Sequence, residues 1–157
     1  MKLKREAHAY YVKSLGLSAK YQIIGEDIDD MSVEMNGSYE SKKNILGKNT
    51  VTDNGYTPSV AVSPYYANPE DEIYPFLKDL AMNRKSGDDA KAKMLEVLIE
   101  DTEAEQHDAW EEDCKIEITS YGGNTEGFAI GFTVHPYGTR KQGHATIADS
   151  GDVTFVD

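Results

Sequence analysis

Ser59-Val60-Ala61-Val62-Ser63 carries a valine at every second position and stands directly before Asn68-Pro69-Glu70-Asp71-Glu72-Ile73-Tyr74-Pro75-Phe76-Leu77-Lys78-Asp79-Leu80-Ala81, a segment with the marks of a helix. Period-two alternation reads as a half-buried strand, and Ile73, Phe76, Leu77, Leu80 and Ala81 fall at i, i+3, i+4, i+7 and i+8, one apolar stripe able to dock on a sheet. Asn68 suits a cap, Pro69 the first helical position, and Glu70, Asp71 and Glu72 the positive end of the dipole. Arg84 and Lys85 fall in the last turn, with Gly87 just beyond. Pro75 is discordant, because an interior proline costs ~3 kcal/mol. Either the helix begins near Tyr74 or it kinks at Pro75. Most of the remaining regular signal is strand-like, so the pattern predicts a mainly β fold with one α-helix.

Composition bounds the rest. A chain of 157 residues, 39% hydrophobic, suits one domain with a modest core. Ten tyrosines favour half-buried sheet surfaces and subunit contacts. No apolar run approaches the ~18 residues of a membrane helix, and no apolar stretch follows the charged Met1-Lys2-Leu3-Lys4-Arg5-Glu6, so the expectation is a protein made and folded in a cytoplasm. The single cysteine, Cys114, excludes an internal disulfide and a multi-cysteine zinc site.

The net charge is −12, and Glu100, Asp101, Glu103, Glu105, Asp108, Glu111, Glu112 and Asp113 run without an intervening lysine or arginine. Such a run reads first as a solvated loop, and alternatively as a surface that repels nucleic acid or holds calcium. Asp27-Ile28-Asp29-Asp30 and Asp149-Ser150-Gly151-Asp152 lack the ligand ladder of a calcium loop and read as turns.

Along the chain, Met1 to Ala19 shows no periodicity and reads as an arm. Tyr21 to Gly25 reads as a weak strand, and Met31, Val33 and Met35 as a strand continuing toward Tyr39. Ser41 to Gly55 is polar apart from Ile45, Leu46 and Val51, a long loop of the kind that is functional or disordered. Ala90 to Ile99 fits helix or strand, with composition leaning helical. Ile116 and Ile118 lead through a glycine-rich turn at Ser120 to Thr125 into Phe128, Ile130, Phe132 and Val134, a β-hairpin; short strands follow at Ala145 to Ala148 and at Val153 to Phe155.

Chemistry is sparse. His8, His107, His135 and His144 have no zinc-like spacing; His135 ends a strand on its polar side, and His144 falls in a loop. Gly122-Gly123 is followed by no lysine and no helix, so it is not a phosphate loop. Cys114 lies beside Asp113 and Glu112, whose charges disfavour the thiolate. No catalytic, cofactor-binding or metal-ligating residue is assigned, and no enzyme is indicated.

The order of parts resembles a known family. Met31-Ser32-Val33-Glu34-Met35, a long polar loop, Tyr56-Thr57-Pro58-Ser59-Val60-Ala61-Val62, Asn68 to Leu77, and Lys115-Ile116-Glu117-Ile118-Thr119-Ser120-Tyr121-Gly122-Gly123 followed by Phe128 to Val134 are similar to the major tail (tail tube) proteins of long-tailed bacteriophages, from about Ile23 to the end. The resemblance implies a β-sandwich or rolled barrel with a flanking helix. It makes Lys93 to Asp101 a strand leading into an acidic loop, and it brings no catalytic residue. It also implies hexameric rings that stack into a tube in the virion tail, assembled in the host cytoplasm, through which DNA passes without tight binding. The partners implied are further copies of the chain and the tape measure, tail terminator and distal tail proteins, with no membrane. On this reading residues 1–20 are an N-terminal arm and 21–157 a single domain, with 41–55 as its assembly loop. A non-tube tail, baseplate or lectin-like binding module, and a small acidic carboxylate enzyme, are the alternatives.

Overall fold

Every second residue of a strand faces the same way, and in this protein the alternation at 59–63 places Val60 and Val62 at full burial. The computed structural model describes residues 1–15, 20–26 and 28–157. The strands are β1 (His8–Ser14), β2 (Gln22–Ile24), β3 (Val33–Glu34), β4 (Gly37–Lys43), β5 (Asn49–Tyr56), β6 (Ser59–Tyr66), β7 (Lys91–Leu98), β8 (His107–Asn124), β9 (Gly127–Pro136), β10 (Lys141–Ile147) and β11 (Val153–Val156), with helix α1 (Tyr74–Met82) between β6 and β7. The chain is mostly β with one α-helix, and its main sheet curls into a half-barrel.

Among the described residues, nine strands form that sheet in the order β2-β1-β7-β8-β9-β6-β3, and β10 joins β8 and carries β11. The 18-residue β8 makes this branching possible. Its second half pairs with β9, Cys114 opposite Pro136, and its first half with β10, Glu111 opposite Lys141. Between them the chain bulges at residues 137–140, where Tyr137 and Gly138 both donate their N–H to the Asp113 carbonyl, at 3.0 and 3.2 Å. A Cβ on Gly138 would stand 2.9 Å from that of Asp113, so only glycine passes here without a shift.

Both faces of the central strands are covered. Tyr10, Val12, Met94, Ile116, Ile130 and Phe132 pack with α1 on one face. Tyr11, Leu95, Val97, Ala109 and Ala145 pack with Phe155 and Val153 on the other. This two-sided burial explains why residues 91–98 show an apolar run and no clean alternation. They form a strand, as the resemblance implies and against their helical composition. It also corrects the arm reading of residues 1–20: β1 lies between β2 and β7, with Tyr10, Tyr11 and Val12 buried. The rest of that segment at 16–19, and Asp27 of the 27–30 turn, lie outside the described residues.

The helix begins at Tyr74, the first of the two alternatives. Pro75 then occupies the first turn, where its missing N–H has no helical partner to lose. Asn68 caps the preceding turn, not the helix: its side chain accepts from the Glu70 N–H at 3.0 Å and its carbonyl from Asp71 at 2.9 Å. Ile73, Leu77, Leu80 and Ala81 are buried, whereas Phe76 is only partly so. Leu77→Ala should therefore cost ~2–5 kcal/mol in urea unfolding, and Phe76→Ala about half as much, because part of its area stays in water.

Arg84, not Gly87, ends α1. It has φ 52°, and the Lys85 N–H reaches back to the Leu80 carbonyl at 3.1 Å. This is the closing bond of a Schellman cap, whose left-handed residue is usually glycine. Arg84→Gly should raise stability by ~0.5–1 kcal/mol, the left-handed strain of ~1–2 kcal/mol less the extra chain entropy of glycine.

Two further expectations are revised. The acidic run is a turn only to Gln106; from His107 it enters β8, where Lys93 and Arg140 neutralise Glu111, Asp113 and Glu112. Gly122 and Gly123 lie within β8, and the hairpin turns at Thr125-Glu126. Gly123 has φ 101°, and a Cβ there would meet the Gly127 carbonyl at 2.2 Å, so β9 crosses close over it.

Candidate assembly surfaces

Residues 41–55 are not a loop. Together with their flanks they form the antiparallel pair β4–β5, a two-stranded sheet separate from the main one. All seven residues of β4 are exposed, and all of β5 except Gly55. With neither face buried, selection leaves no apolar alternation to read, which is why the segment looks structureless in sequence. An isolated hairpin is marginal in water, and this one is reinforced locally. Asn36, at φ 51°, donates from Nδ2 to the Thr57 carbonyl at 3.0 Å and the Ser59 hydroxyl at 3.1 Å, clipping the base to β6. At the tip the Asn44 side chain accepts from the Leu46 and Lys48 N–H groups at 2.9 and 3.0 Å.

The turn so formed holds Ile45 and Leu46 outward, at 102% and 75% exposure. Adjacent apolar residues on a fixed turn have no core to serve. Tyr39, Val51 and Tyr56 add further exposed apolar surface down the hairpin. The pair Ile45-Leu46 between Asn44 and Gly47 was the signal in the sequence, since turn residues on both sides mark a tip. Further unsatisfied backbone lies at the ends of the sheet path, β2 and β3, and on the outer edge of β11.

Reactive side chains do not converge in this way. No local pattern announces the strongest polar cluster among the described residues, which surrounds Glu96. Arg140 donates to Glu96 Oε2 and, at 3.3 Å, to Glu112 Oε1, while His8 Nε2 lies 3.6 Å from Glu96 Oε1 and the Trp110 ring centre 5.8 Å from the guanidinium. Burial pushes the Glu96 carboxyl up, but hydrogen bonds from His8 and Arg140, with their charge, hold it below the ordinary range. A general acid needs the opposite shift. The cluster is a clip that ties β1, β7 and β8 to the 137–140 bulge.

Cys114 is fully buried, and burial first, then Asp113 and Glu112, pushes its thiol up to about 12, so it is no nucleophile. His135 faces Glu117 at 3.3 Å. His144 lies on β10 and not in a loop, 3.8 Å from Asp108. No group of three metal-ligating side chains comes together among the described residues, and no helix there is long and apolar enough to cross a membrane. The 149–152 segment is the tight β10–β11 turn, closed by Ala148 N–H to the Asp152 carbonyl at 2.8 Å.

The same architecture occurs in solved assemblies. A chain of the SPP1 tail tube superposes with a TM-score of 0.62 at 17% identity, over 90% of this chain and 78% of that one. The sheath/tube terminator of the PVC extracellular contractile injection system gives 0.54 at 10% identity, over 90% and 96%. The tube-terminating cap of the anti-feeding prophage gives 0.51 at 11%, over 90% and 91%. No protein-family model and no curated protein matches the sequence. The structural neighbours are thus tail tube and tube-terminating proteins, and the fold is theirs.

Proposed function

We propose that this chain, which carries the tail-tube fold, is a non-enzymatic structural subunit of a virion tail, and that its copies close into rings, hexameric by the family resemblance, which stack into a tube. The observation that carries the reading is the agreement over 90% of the chain with a tail tube subunit, together with a hairpin whose apolar tip is covered by nothing among the described residues. Heterologous contacts close rings or extend filaments, according to the rotation between subunits. The β4–β5 hairpin is the assembly element, reaching a neighbouring copy, and the open edges of β2 and β11 offer backbone pairing. Assembly belongs to the bacterial cytoplasm, and the tape measure, terminator and distal tail proteins are the partners at the inside and ends of such a tube.

Electron microscopy of purified protein at rising concentration tests this: rings or tubes support it, and compact monomer at millimolar concentration removes it. Single rings that never stack would favour a terminator, the role of two of the structural neighbours.

The conduit role has its own test. With 28 acidic and 16 basic residues, the chain cannot gain affinity by neutralising phosphates over a broad basic face. In a gel shift at physiological salt it should leave duplex DNA unretained even at ~100 μM protein, the weak end of the ~10⁻⁴–10⁻⁶ M range of nonspecific DNA binders. Micromolar retention that weakens steeply with salt would contradict a low-friction lumen.

A further inference from the structure

Charges of opposite sign without an ion-pair partner stand at the two ends of β7. Before its first residue, a groove runs between the end of α1 and β8, floored by Leu80 and Ile116 and edged by Arg84, Lys85 and Lys115. Lys85 is held by Asp79 at 2.8 Å, and Glu117 by His135 at 3.3 Å. Lys115 sits directly opposite Lys91 in the register, and Lys91 takes the nearby Asp88 at 3.0 Å. Among the described residues, neither Arg84 nor Lys115 forms an ion pair, although the Lys115 charge reaches the Asp88 carboxyl; Lys115 lies over the Tyr137 ring at 5.5 Å. Arg84 and Lys115 are thus the two cations of this groove left without an ion pair, among neighbours whose charges are otherwise offset by Asp79, Asp88 and Asp89.

Beyond the last residue of β7 lies the acidic turn. Glu100, Asp101, Glu103 and Glu105 are all exposed, and none meets a cation among the described residues. The turn is formed, with Asp101 Oδ1 accepting from the Glu103 N–H at 3.0 Å and the Asp101 carbonyl from Ala104 at 3.2 Å. An eight-residue strand is about 26 Å long at ~3.3 Å per residue. The two charge sets therefore cannot meet within one molecule, and each is complementary to the other on a second copy.

We infer that the acidic turn at 100–105 of one copy docks in the Arg84–Lys115 groove of the next, a head-to-tail contact between copies of this chain. The inference rests on the assembly reading and names one contact within it. A heterologous contact of this kind propagates, because each copy leaves one charge set free. Partial screening over ~8 Å at physiological salt makes it salt-sensitive.

Paired charge reversals decide it. Arg84→Glu with Lys115→Glu, and separately Glu100→Lys with Glu103→Lys, are exposed changes that should leave the melting temperature of dilute protein within a few degrees. At a concentration where wild type assembles, each variant alone should sediment far less material, because the contact is weakened at least ~10-fold in its association constant, about 1.4 kcal/mol. An equimolar mixture of the two, and a single chain carrying all four changes, should regain assembly; the four-change chain keeps the test decisive if one variant misfolds. Unimpaired assembly of both variants, or no recovery in the mixture and the four-change chain, overturns this contact and leaves the tube reading standing. Failure of wild type itself to assemble overturns both.

Discussion

Ile45→Asp combined with Leu46→Asp is expected to abolish assembly while leaving the unfolding of dilute protein unchanged within ~0.5 kcal/mol, as for exposed substitutions generally. Neither side chain contributes to the core, since both extend from a tip held by Asn44 and Gly47. Burying an isoleucine and a leucine at a subunit contact is worth ~1.5–3 kcal/mol each. Losing both costs ~3–6 kcal/mol at every copy, or two to four powers of ten in each association constant. Introduced carboxylates add a desolvation penalty if the contact is forced. Sedimentation velocity and thermal melting on the same samples check the pair of outcomes. A large fall in melting temperature would place the tip in the monomer's core, and undiminished tubes would remove the hairpin from the interface.

Arg140→Met is the complementary case, harmful to folding wherever the protein goes afterwards. It leaves Glu96, the one buried charged residue among those described, without its guanidinium. Breaking a buried pair costs ~3–5 kcal/mol, and the lower end applies here because the Arg140 side chain is 42% exposed and partly screened. The pH dependence carries a definite sign. In the wild type, the Glu96 carboxyl is held below its unfolded value, so its contribution is complete above that value and is lost as pH falls through the folded one. In the variant only His8 still opposes burial, so the folded carboxyl moves up and less stability is lost on acidification than in the wild type. The stability gap between the two proteins should thus be widest near neutrality and narrow toward pH 4. A gap constant over that range in urea unfolding would show that Glu96 does not carry the loss.

What the sequence revealed follows from how many faces each element buries. Strands with one buried face, such as 59–62 and 114–118, announce themselves by alternation, and α1 by its stripe, whereas 129–132 are buried on both faces and Phe128 is exposed. β1 and β7 are covered on both sides, so Tyr10-Tyr11-Val12 and Met94-Leu95 lose the alternating signal. β4 and β5 bury neither side and lose it for the opposite reason. Residues 41–55 stood out in the sequence as a long polar segment but not as a hairpin, and their role in assembly remains the proposal made above. The Glu96 clip joins residues 44 positions apart through a chain bulge, a meeting that local pattern does not encode. The lone cap residue misled for a simpler cause: Asn68 does cap, but the turn it caps lies one step before the helix.

The place of β1 between β2 and β7 sets an order of events in time. Tyr10 meets Met94 across 84 residues of chain. At ~5–20 residues per second of synthesis, roughly 4–17 s pass between the emergence of the two. During that wait only the three-residue β2 can pair with β1, and its other edge offers bare N–H and C=O groups beside Tyr10, Tyr11 and Val12. The hairpins β7–β8 and β8–β9 close quickly once made, because their partners are neighbours in sequence. The nascent chain is therefore most vulnerable early, when an unpaired strand on one ribosome can find the same strand on the next. Slower synthesis lengthens that interval, so conditions that delay elongation through residues 15–91 should lower the soluble yield more than an equal delay after residue 124.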